Sequence, residues 1–391
     1  MSSLTKEVIQ RIRQVLPDAT KFYALHEPTF IGNELKYASE CITTGWVSSA
    51  GKYVNQIESQ LAEYVGTKRA VAVVNGTAAL QIALVAAGLK AGDEVLVPSL
   101  TFVATANAVV HAGGVPHFLD AEADGLNINP AQTSEYLNGI STIANGECKN
   151  KYTGRRIFAV IPVHILGHAC KVDELARVAD CYRLRMIEDI AEGLGTYLQG
   201  KHVGRFGMLA ALSFNGNKIV TTGGGGAIFT DDDKLADLIK HLTTTAKLPH
   251  EWEYAHDRVG YNFRMPNINA ALGCAQMERM KELLTKKRLL AKHYAHAFEG
   301  LDEVRFLEES PGCQSNYWLN AIRLVKPSTE IRNQLLRALN DEKIQSRPLW
   351  RLLHQLPMYS NAPCAPIMNA VRHQDSIINI PSSPFLADGK A

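Results

Sequence analysis

The feature that most constrains this chain is a regular alternation of short apolar runs with runs of helical pattern between residues 70 and 189. Strands are predicted at 70–74, 94–97, 115–119, 157–163 and 185–188, and helices at 77–88, 105–112 and 172–182. Strands separated by helices indicate a parallel sheet that is covered on both faces. The predicted fold class is therefore α/β, with a large domain built around a mostly parallel central sheet.

A sheet of this kind binds ligands beyond the carboxyl ends of its strands. The residues that follow the predicted strands are 75–77, 99–102, His164 and Asp189. These residues are far apart in the sequence, but the topology brings them to one edge of the sheet. We therefore expect one crevice lined by these four loops.

The pattern changes near Pro266. One long helix is predicted at 267–298, followed by a strand at 317–324, a helix at 329–340 and a strand at 344–347. This order indicates a smaller C-terminal α/β unit. We expect an N-terminal segment and large domain over 1–266, and a linking helix with the smaller domain over 267–391. The chain opens with a predicted surface helix that ends at Pro17, and residues 21–66 are irregular apart from a helix at 54–64.

Composition and charge exclude several other classes of protein. The 391 residues are 46% hydrophobic and 20% charged, which is ordinary for a globular protein and not for a disordered one. The net charge is +2 and there is no long Lys/Arg tract, so no nucleic-acid partner is expected. Polar residues interrupt the longest apolar stretch, 70–89, and the first residues lack the apolar core of a secretory signal. We expect a cytoplasmic protein with no membrane association.

The seven cysteines are scattered without CxxC spacing. An odd number without this spacing favours neither a disulfide framework nor a zinc site. We therefore expect reduced thiols and no metal.

Asn75, Gly76, Thr77 and Ala78 lie where a predicted strand meets a predicted helix. The start of a helix offers unpaired N–H groups and the positive end of the helix dipole, and small residues there let a phosphate approach. The same residues could serve only as a helix cap, and this pattern alone leaves both interpretations open.

Adjacent carboxylates, Glu188 and Asp189, end the last predicted strand, and Glu192 follows them. Carboxylates at a strand end can bind a metal, cap a helix or hold a protonated heterocyclic nitrogen. No His or Cys lies nearby at metal-ligand spacing, which disfavours the metal. Helix capping remains open at this point.

Lys218 stands among small and polar residues in the run SFNGNK, which TTGGGG follows after two residues. A lysine whose environment lowers its pKa can act as an amine nucleophile and form a Schiff base, although a single lysine is more typical of a solvated surface. A phosphate-binding helix start, a carboxylate and a lysine, in this order, are the fixed points of a pyridoxal phosphate (PLP) site. The phosphate anchors the cofactor, the carboxylate keeps the pyridine nitrogen protonated, and the lysine holds the aldehyde and moves protons.

Six motifs carry a family resemblance: GWVSSAGKYV, VNGTAAL, TFVATANAV, EDIAEGLG, SFNGNKIVTTGGGG and VGYNFRMPNINAAL. From about residue 25 to residue 359 the chain resembles the fold-type I PLP-dependent sugar aminotransferases of the DegT/DnrJ/EryC/StrS family, which act on nucleotide-linked keto sugars. The resemblance implies Lys218 as the lysine that binds the cofactor aldehyde, Asp189 beside the pyridine nitrogen, Phe102 stacked on the ring, Gly76, Thr77, Ala78 and Ser213 on the phosphate, and Asn262 on the phosphate of the neighbouring subunit.

The resemblance also implies an assembly. The family likeness suggests a homodimer with shared active sites, in which GWVSSAGKYV borders the substrate pocket of the partner.

His164 and His168 flank Gly167 near the crevice, where a packed role is favoured over a ligand contact. One of three residues of the C-terminal unit is expected to touch the sugar nucleotide: Arg347, His354 or Tyr359.

Finer details of the resemblance bear on the reaction. Some relatives are dehydratases with histidine in place of the lysine, so Lys218 favours transamination. Glu192 stands where many relatives have Gln or His, and it is similar to the subgroup that aminates C4 of 4-keto-6-deoxy sugars; it is expected beside the cofactor. The segments HEPTFIGNE, GWVSSAGKYV, SFNGNK and TTTAK resemble enzymes that make legionaminic acid and bacillosamine precursors.

That likeness predicts transfer of an amino group from L-glutamate to C4 of UDP-2-acetamido-2,6-dideoxy-4-ketohexose for surface glycan synthesis, with pyridoxamine phosphate as the intermediate form of the cofactor. The alternatives are a C3 keto sugar or a dTDP- or GDP-linked sugar. A non-catalytic regulator that retains PLP is a third hypothesis.

Overall fold

The computed structural model describes residues 2–390, and side chains as far as residue 388. Its α-helices are α1 (Ser3–Val15), α2 (Glu34–Thr44), α3 (Lys52–Val65), α4 (Gly76–Ala87), α5 (Ala104–His111), α6 (Pro130–Ile140), α7 (Val172–Cys181), α8 (Asp233–Thr243), α9 (Asn267–Glu278), α10 (Met280–Ala297), α11 (Thr329–Asp341) and α12 (Asn369–Gln374). Its strands are β1 (Arg69–Val73), β2 (Glu94–Pro98), β3 (Val115–Leu119), β4 (Ser141–Ala144), β5 (Glu147–Asn150), β6 (Ile157–Val160), β7 (Arg185–Asp189), β8 (Tyr197–Leu198), β9 (Lys201–His202), β10 (Leu209–Ser213), β11 (Gly226–Thr230), β12 (Val304–Phe306), β13 (Cys313–Gln314), β14 (Asn320–Leu324), β15 (Arg347–Pro348) and β16 (Ile377–Ile380).

The central sheet has seven strands in the order β1-β11-β10-β7-β6-β2-β3. The pairs from β10 to β3 are parallel, and β11 runs antiparallel to both of its neighbours. The prediction of an α/β fold with a mostly parallel sheet is confirmed. Because β11 reverses the direction twice, β1, β7 and β10 all end at the same edge of the sheet, which is the edge where the ligand-binding loops were expected.

A second sheet, in the order β12-β14-β16-β15, is antiparallel and belongs to the C-terminal part of the chain. Helix α1 packs here, since Val8 and Ile12 are fully buried in the same apolar cluster as Leu290 and Tyr294 of α10. The predicted surface helix is therefore a core helix of this unit. The division of the chain at Pro266 remains a prediction.

Several predicted elements differ in the structure. The helix expected at 267–298 is two helices, because the backbone leaves helical geometry at Arg279, with ψ near 3°. Strands β10 and β11 were not predicted, although both lie in the middle of the central sheet. Their sequences, LAALS and GAIFT, are rich in small residues and carry no clear period, so burial by neighbouring strands determines their conformation.

Candidate active site

The three regions singled out in the sequence meet at one edge of the central sheet. Gly76 begins α4 directly after β1, Asp189 ends β7 and Ser213 ends β10. Gly76 packs against Ser213 so closely that a Cβ on Gly76 would lie 2.8 Å from the Cβ of Ser213. Only glycine fits at this position without a shift of the neighbouring strand, so the start of α4 and the end of β10 form one cradle.

This cradle has open hydrogen-bond donors. The Asn75 side chain caps α4 and accepts the N–H of Ala78 at 2.8 Å, which occupies that donor. The N–H groups of Gly76 and Thr77 lie in the first turn, where a helix supplies no backbone acceptor. Two backbone donors, the Ser213 hydroxyl and the positive end of the helix dipole therefore surround a space suited to a phosphate.

Asp189 and Glu188 have separate functions because successive side chains of a strand point to opposite faces. Asp189 is buried, and its carboxylate accepts the Thr105 hydroxyl at 2.8 Å and the Ala191 N–H at 3.1 Å. Burial raises the pKa of Asp189, while these hydrogen bonds and the charge of Lys218 oppose that rise. This carboxylate faces the site and can still accept a proton donor from a ligand.

Glu188 points away and serves the fold. Its oxygens accept the N–H groups of Gly204, Phe206 and Gly207, and one lies 3.3 Å from Nε2 of His164. Burial opposes ionisation of this carboxyl, but His164 and the backbone donors keep its pKa below the usual value. These hydrogen bonds from three backbone N–H groups show that Glu188 fixes the loop after β9.

Lys218 lies in the crevice with its side chain only 13% exposed. Its Nζ is 3.6 Å from Oε1 of Glu192 and 3.9 Å from the centroid of the Trp318 ring. The first distance is longer than an ordinary hydrogen bond, and among the described residues no close hydrogen bond holds the amine in this position. The Trp318 indole N–H donates to the carbonyl of Asn217 at 2.7 Å, which fixes the ring beside the lysine.

Glu192 is held by the loop that follows β6. Its Oε2 accepts the N–H of Leu166 at 2.8 Å, and Leu166 adopts a φ of 56°, which is uncommon for a residue with a side chain. The Asn316 side chain also donates to the Glu192 carbonyl at 2.8 Å. Burial raises the pKa of Glu192 to about 7, and the charge of Lys218 acts against that rise.

Two other predicted residues are exposed. Phe102 is 52% exposed and directly follows nine consecutive buried residues, 93–101, so its ring lies outside the core. Asn262 is also exposed, next to Phe263, whose carbonyl accepts the N–H of Val74 at 3.0 Å. That bond places Asn262 beside the start of α4 in its own chain.

The histidines near the crevice are packed. His164 is fully buried and bound to Glu188, and burial lowers the pKa of His168 to about 4. In the C-terminal unit, Nδ1 of His354 lies 2.6 Å from the Ser99 hydroxyl, and the Tyr359 hydroxyl donates to Asn107. These two contacts bring the C-terminal unit against the loop and helix that follow β2, whereas Arg347 is exposed at the start of β15.

A profile of the DegT/DnrJ/EryC1/StrS aminotransferase family matches residues 28–391. The chain belongs to this family. It is 37% identical, over 93% of its length and 95% of the other chain, to a GDP-perosamine synthase of Vibrio cholerae. It is 38% identical, over 86% of its length and 84% of the other chain, to EpsN of Bacillus subtilis, which is described as a putative pyridoxal phosphate-dependent aminotransferase. A solved family aminotransferase from Brucella abortus superposes with a TM-score of 0.82, at 30% identity over 90% of this chain and 91% of the other.

The cofactor of this aminotransferase is PLP. The residues present fit it: the glycine-sized cradle at Gly76 suits a phosphate, the buried carboxylate of Asp189 suits a pyridinium nitrogen, and Lys218 supplies an amine in the same crevice. Among residues 2–390 no group of three or more His, Cys, Asp or Glu side chains is arranged to hold a metal ion. In the same range no helix is both long and apolar enough to cross a membrane.

Two residues that contact predicted site residues were not singled out in the sequence. Thr105 bonds to Asp189, and Trp318 covers Lys218. Thr105 was assigned only to a predicted helix, and its position one turn after Phe102 is the signal that could have found it. Trp318 had no such signal, because it lies 100 residues after Lys218 in a segment that reads as an ordinary strand.

Proposed function

We propose that this protein is a PLP-dependent aminotransferase that transfers the amino group of L-glutamate to the keto carbon of a GDP-linked sugar. The observation that carries the proposal is the meeting of Lys218, Asp189 and the open start of α4 at one sheet edge. The choice of GDP is supported by the relatives named GDP-perosamine synthase, which favour the alternative from the sequence over the UDP-linked N-acetyl sugar.

In this proposal, different residues hold different parts of the cofactor. Gly76, Thr77 and Ser213 bind the phosphate of the cofactor, and Phe102 covers one face of its ring. Asp189 would accept a hydrogen bond from the protonated pyridine nitrogen and so keep the proton on the ring. When bound, PLP supplies the aldehyde that takes up the amino group and the ring that withdraws electrons from the reacting carbon.

Lys218 holds and moves the proton of the reacting carbon. In the described part of the chain its Nζ forms no close hydrogen bond that must break before it moves, and Trp318 and Glu192 lie beside it as alternative partners. Burial raises the pKa of Glu192 to about 7, so this carboxyl gains or loses a proton near neutral pH. Because Glu192 lies beside Lys218, that proton changes the net charge around the amine. Trp318 excludes water from the side of the amine that faces the C-terminal unit.

The proposal includes a homodimer with shared sites. Large apolar residues are exposed on two segments of the described chain, at Phe30, Ile31, Leu35, Ile42 and Trp46, and at Leu248, Trp252, Tyr254 and Val259. Exposed apolar residues concentrated in this way are typical of an interface. Asn262 adjoins the second segment, and we assign it to a cofactor phosphate across a two-fold axis. Its position near the start of α4 in its own chain is the alternative that the complementation experiment decides.

The reaction is tested with a substrate panel. Purified holoenzyme is incubated with L-glutamate and with GDP-, UDP- or dTDP-linked 4-keto-6-deoxy sugars, and the release of 2-oxoglutarate is measured. We expect turnover with the GDP-linked sugar. Turnover confined to the UDP-linked N-acetyl sugar would instead support the original prediction from the sequence, and no turnover with any keto sugar would contradict the proposal.

The shared site is tested by complementation. Inactive Lys218→Ala is mixed with a variant impaired at Asn262, and subunit exchange is followed by mass. If the sites are shared, a heterodimer has one site with both changes and one with neither, so activity returns. Exchange without any return of activity would show that Asn262 serves its own chain.

A further inference from the structure

A cavity of about 350 Å³ lies in the C-terminal unit, apart from the crevice of Lys218. It opens between the paired strands β12 and β14, helix α12 and the loop that follows β3. Its charged and titratable lining consists of Asp124, Arg305, Glu308, Arg323, Arg372 and His373. β3 is four strands from β10 in the central sheet, which separates the loop after β3 from the strand before Lys218 by about 19 Å.

Two of the arginines are placed against each other. Arg305 of β12 and Arg323 of β14 are direct partners in the antiparallel register. Like charges at such positions destabilise a sheet. Arg372 of α12 lines the same cavity, and its charge adds to the repulsion felt by Arg323. Three arginines therefore line one small volume, with Arg305 and Arg372 exposed and Arg323 partly buried.

The charge of Asp124 offsets part of the charge of Arg323, but few protein groups bond to the three guanidinium groups. Arg323 donates from Nη1 to the carbonyl of Asp124 at 3.1 Å, but its Nε and Nη2 are enclosed without an acceptor. Within residues 2–390, the guanidinium groups of Arg305 and Arg372 form neither a hydrogen bond nor an ion pair. The carboxylates of Asp124 and Glu308 also lie farther than 4 Å from every arginine nitrogen of the cavity. Nε2 of His373 is occupied by the Glu122 carbonyl at 2.7 Å.

We propose that this cavity is a binding site for a phosphate-bearing small molecule. A multiply charged anion compensates the charge of three arginines at once, and guanidinium groups match the oxygens of a phosphate in pairs. The volume lies at the lower end of the range for small-molecule sites. Because the charge of a guanidinium is delocalised, the anion stabilises Arg323 without contacting each of its nitrogens.

The test uses the holoenzyme, so that the cofactor fills its own phosphate cradle. Inorganic phosphate is titrated at constant ionic strength against chloride, and binding is measured by calorimetry and by the midpoint of thermal unfolding. We expect a saturable rise of the midpoint. In Arg323→Gln and Arg372→Gln the affinity should fall about tenfold or more, because a hydrogen bond to a charged group is lost. Arg337→Gln, which changes an exposed arginine of α11, is the matched control and should bind as the wild type does.

A second measurement needs no ligand. In chloride alone, Arg305→Gln should raise the unfolding midpoint, because it removes the charge opposite Arg323. Pyrophosphate and GMP distinguish a free phosphate from a nucleotide as the natural source, and either is consistent with the proposal. The proposal is overturned if the wild type responds no more to phosphate than to chloride, if the cavity variants bind like Arg337→Gln, if succinate binds more tightly than phosphate, or if Arg305→Gln leaves the midpoint unchanged.

Discussion

Two lysines, Lys218 partly buried and Lys287 fully buried, contact the same tryptophan and differ in almost every other respect. Lys218 lies under the ring of Trp318, with its nearest carboxylate 3.6 Å away. Lys287 of α10 is fully buried and donates to the carbonyls of Trp318 and Ser382 at 2.8 and 2.6 Å. Burial lowers the pKa of Lys287 well below its usual value, and a neutral amine has two N–H groups for these two carbonyls.

The difference teaches how to distinguish a reactive lysine from a structural one. Lys287 has fixed acceptors for its donors and no space in which to move. Lys218 has a carboxylate and an aromatic face, both of which attract it without binding it tightly. Freedom from close hydrogen bonds, more than burial, therefore marks the lysine that can serve a cofactor.

The largest effect is expected when Lys218 is removed. Lys218→Ala should lower turnover at least about 10³-fold, because both the amine that binds the aldehyde and the proton carrier are lost. The free energy of unfolding of the apoprotein should change by less than about 1 kcal/mol, since no close hydrogen bond is broken. Release of 2-oxoglutarate and urea unfolding measure the two quantities, and near-normal turnover would contradict the assignment of Lys218.

Glu192 tests the charge beside Lys218. In the apoprotein the folded carboxyl keeps its proton up to about pH 7, whereas the unfolded one releases it near pH 4.5. The wild type should therefore lose stability relative to Glu192→Gln as the pH rises from 4.5 to 7, by about 3 kcal/mol in total. Urea unfolding over this range measures the difference. Glu63→Gln, at an exposed carboxylate, should show no such trend, and a parallel pH dependence of Glu192→Gln and wild type would contradict the raised pKa.

Lys287→Met should affect stability rather than chemistry. It leaves two buried carbonyls without donors, so the free energy of unfolding should fall by about 2 kcal/mol at neutral pH. The advantage of the wild type should grow as the pH rises toward 10.5, because the folded wild type has already lost a proton that the unfolded chain retains. Denaturant unfolding at several pH values tests this, and a constant difference would show that Lys287 is charged in the fold.

The smallest effect is expected at Trp318. Trp318→Phe keeps an aromatic face with a weaker attraction for a cation, and Trp318→Leu removes that face. Turnover should fall about 3-fold in the first and about 10-fold in the second. The rate at which apoenzyme regains PLP absorbance provides a second reading, which a merely structural role would leave unchanged. Equal effects of Phe and Leu would mean that packing, and not the aromatic face, matters.

Much of the large sheet could be predicted because its strands are apolar and its helices separate them regularly. The same logic brought Asn75 and Asp189 together, since parallel strands end at a common edge. Lys218 was assigned to the same site through the residue order of a PLP site and the family resemblance. Strand β10, which carries Ser213, could not be predicted, because Ala and Leu in LAALS suit a helix as well as a strand. The burial of α1 was also beyond the sequence pattern, because its partner helix is more than 260 residues away.

Two neighbouring lysines of α10 show what a sequence pattern could not predict about side-chain burial. Lys286 and Lys287 are neighbours in a run of charged residues, and yet Lys286 pairs with Asp388 at the surface while Lys287 is fully buried. A helical pattern assigns both to a polar face. The nucleotide of the sugar substrate could not be predicted for a different reason. Short motifs favoured a UDP-linked sugar, whereas a relative that matches most of the chain is named GDP-perosamine synthase.

Ser382 holds three separate parts of the chain together. Its carbonyl accepts Lys287, its hydroxyl accepts the N–H of Asn320 at 2.7 Å, and its N–H donates to the carbonyl of Leu25 at 2.8 Å. Ser382 therefore connects the segment around Leu25 to helix α10 and to the start of strand β14. Loss of Ser382 should release all three contacts together, so the fold should fail abruptly rather than loosen gradually.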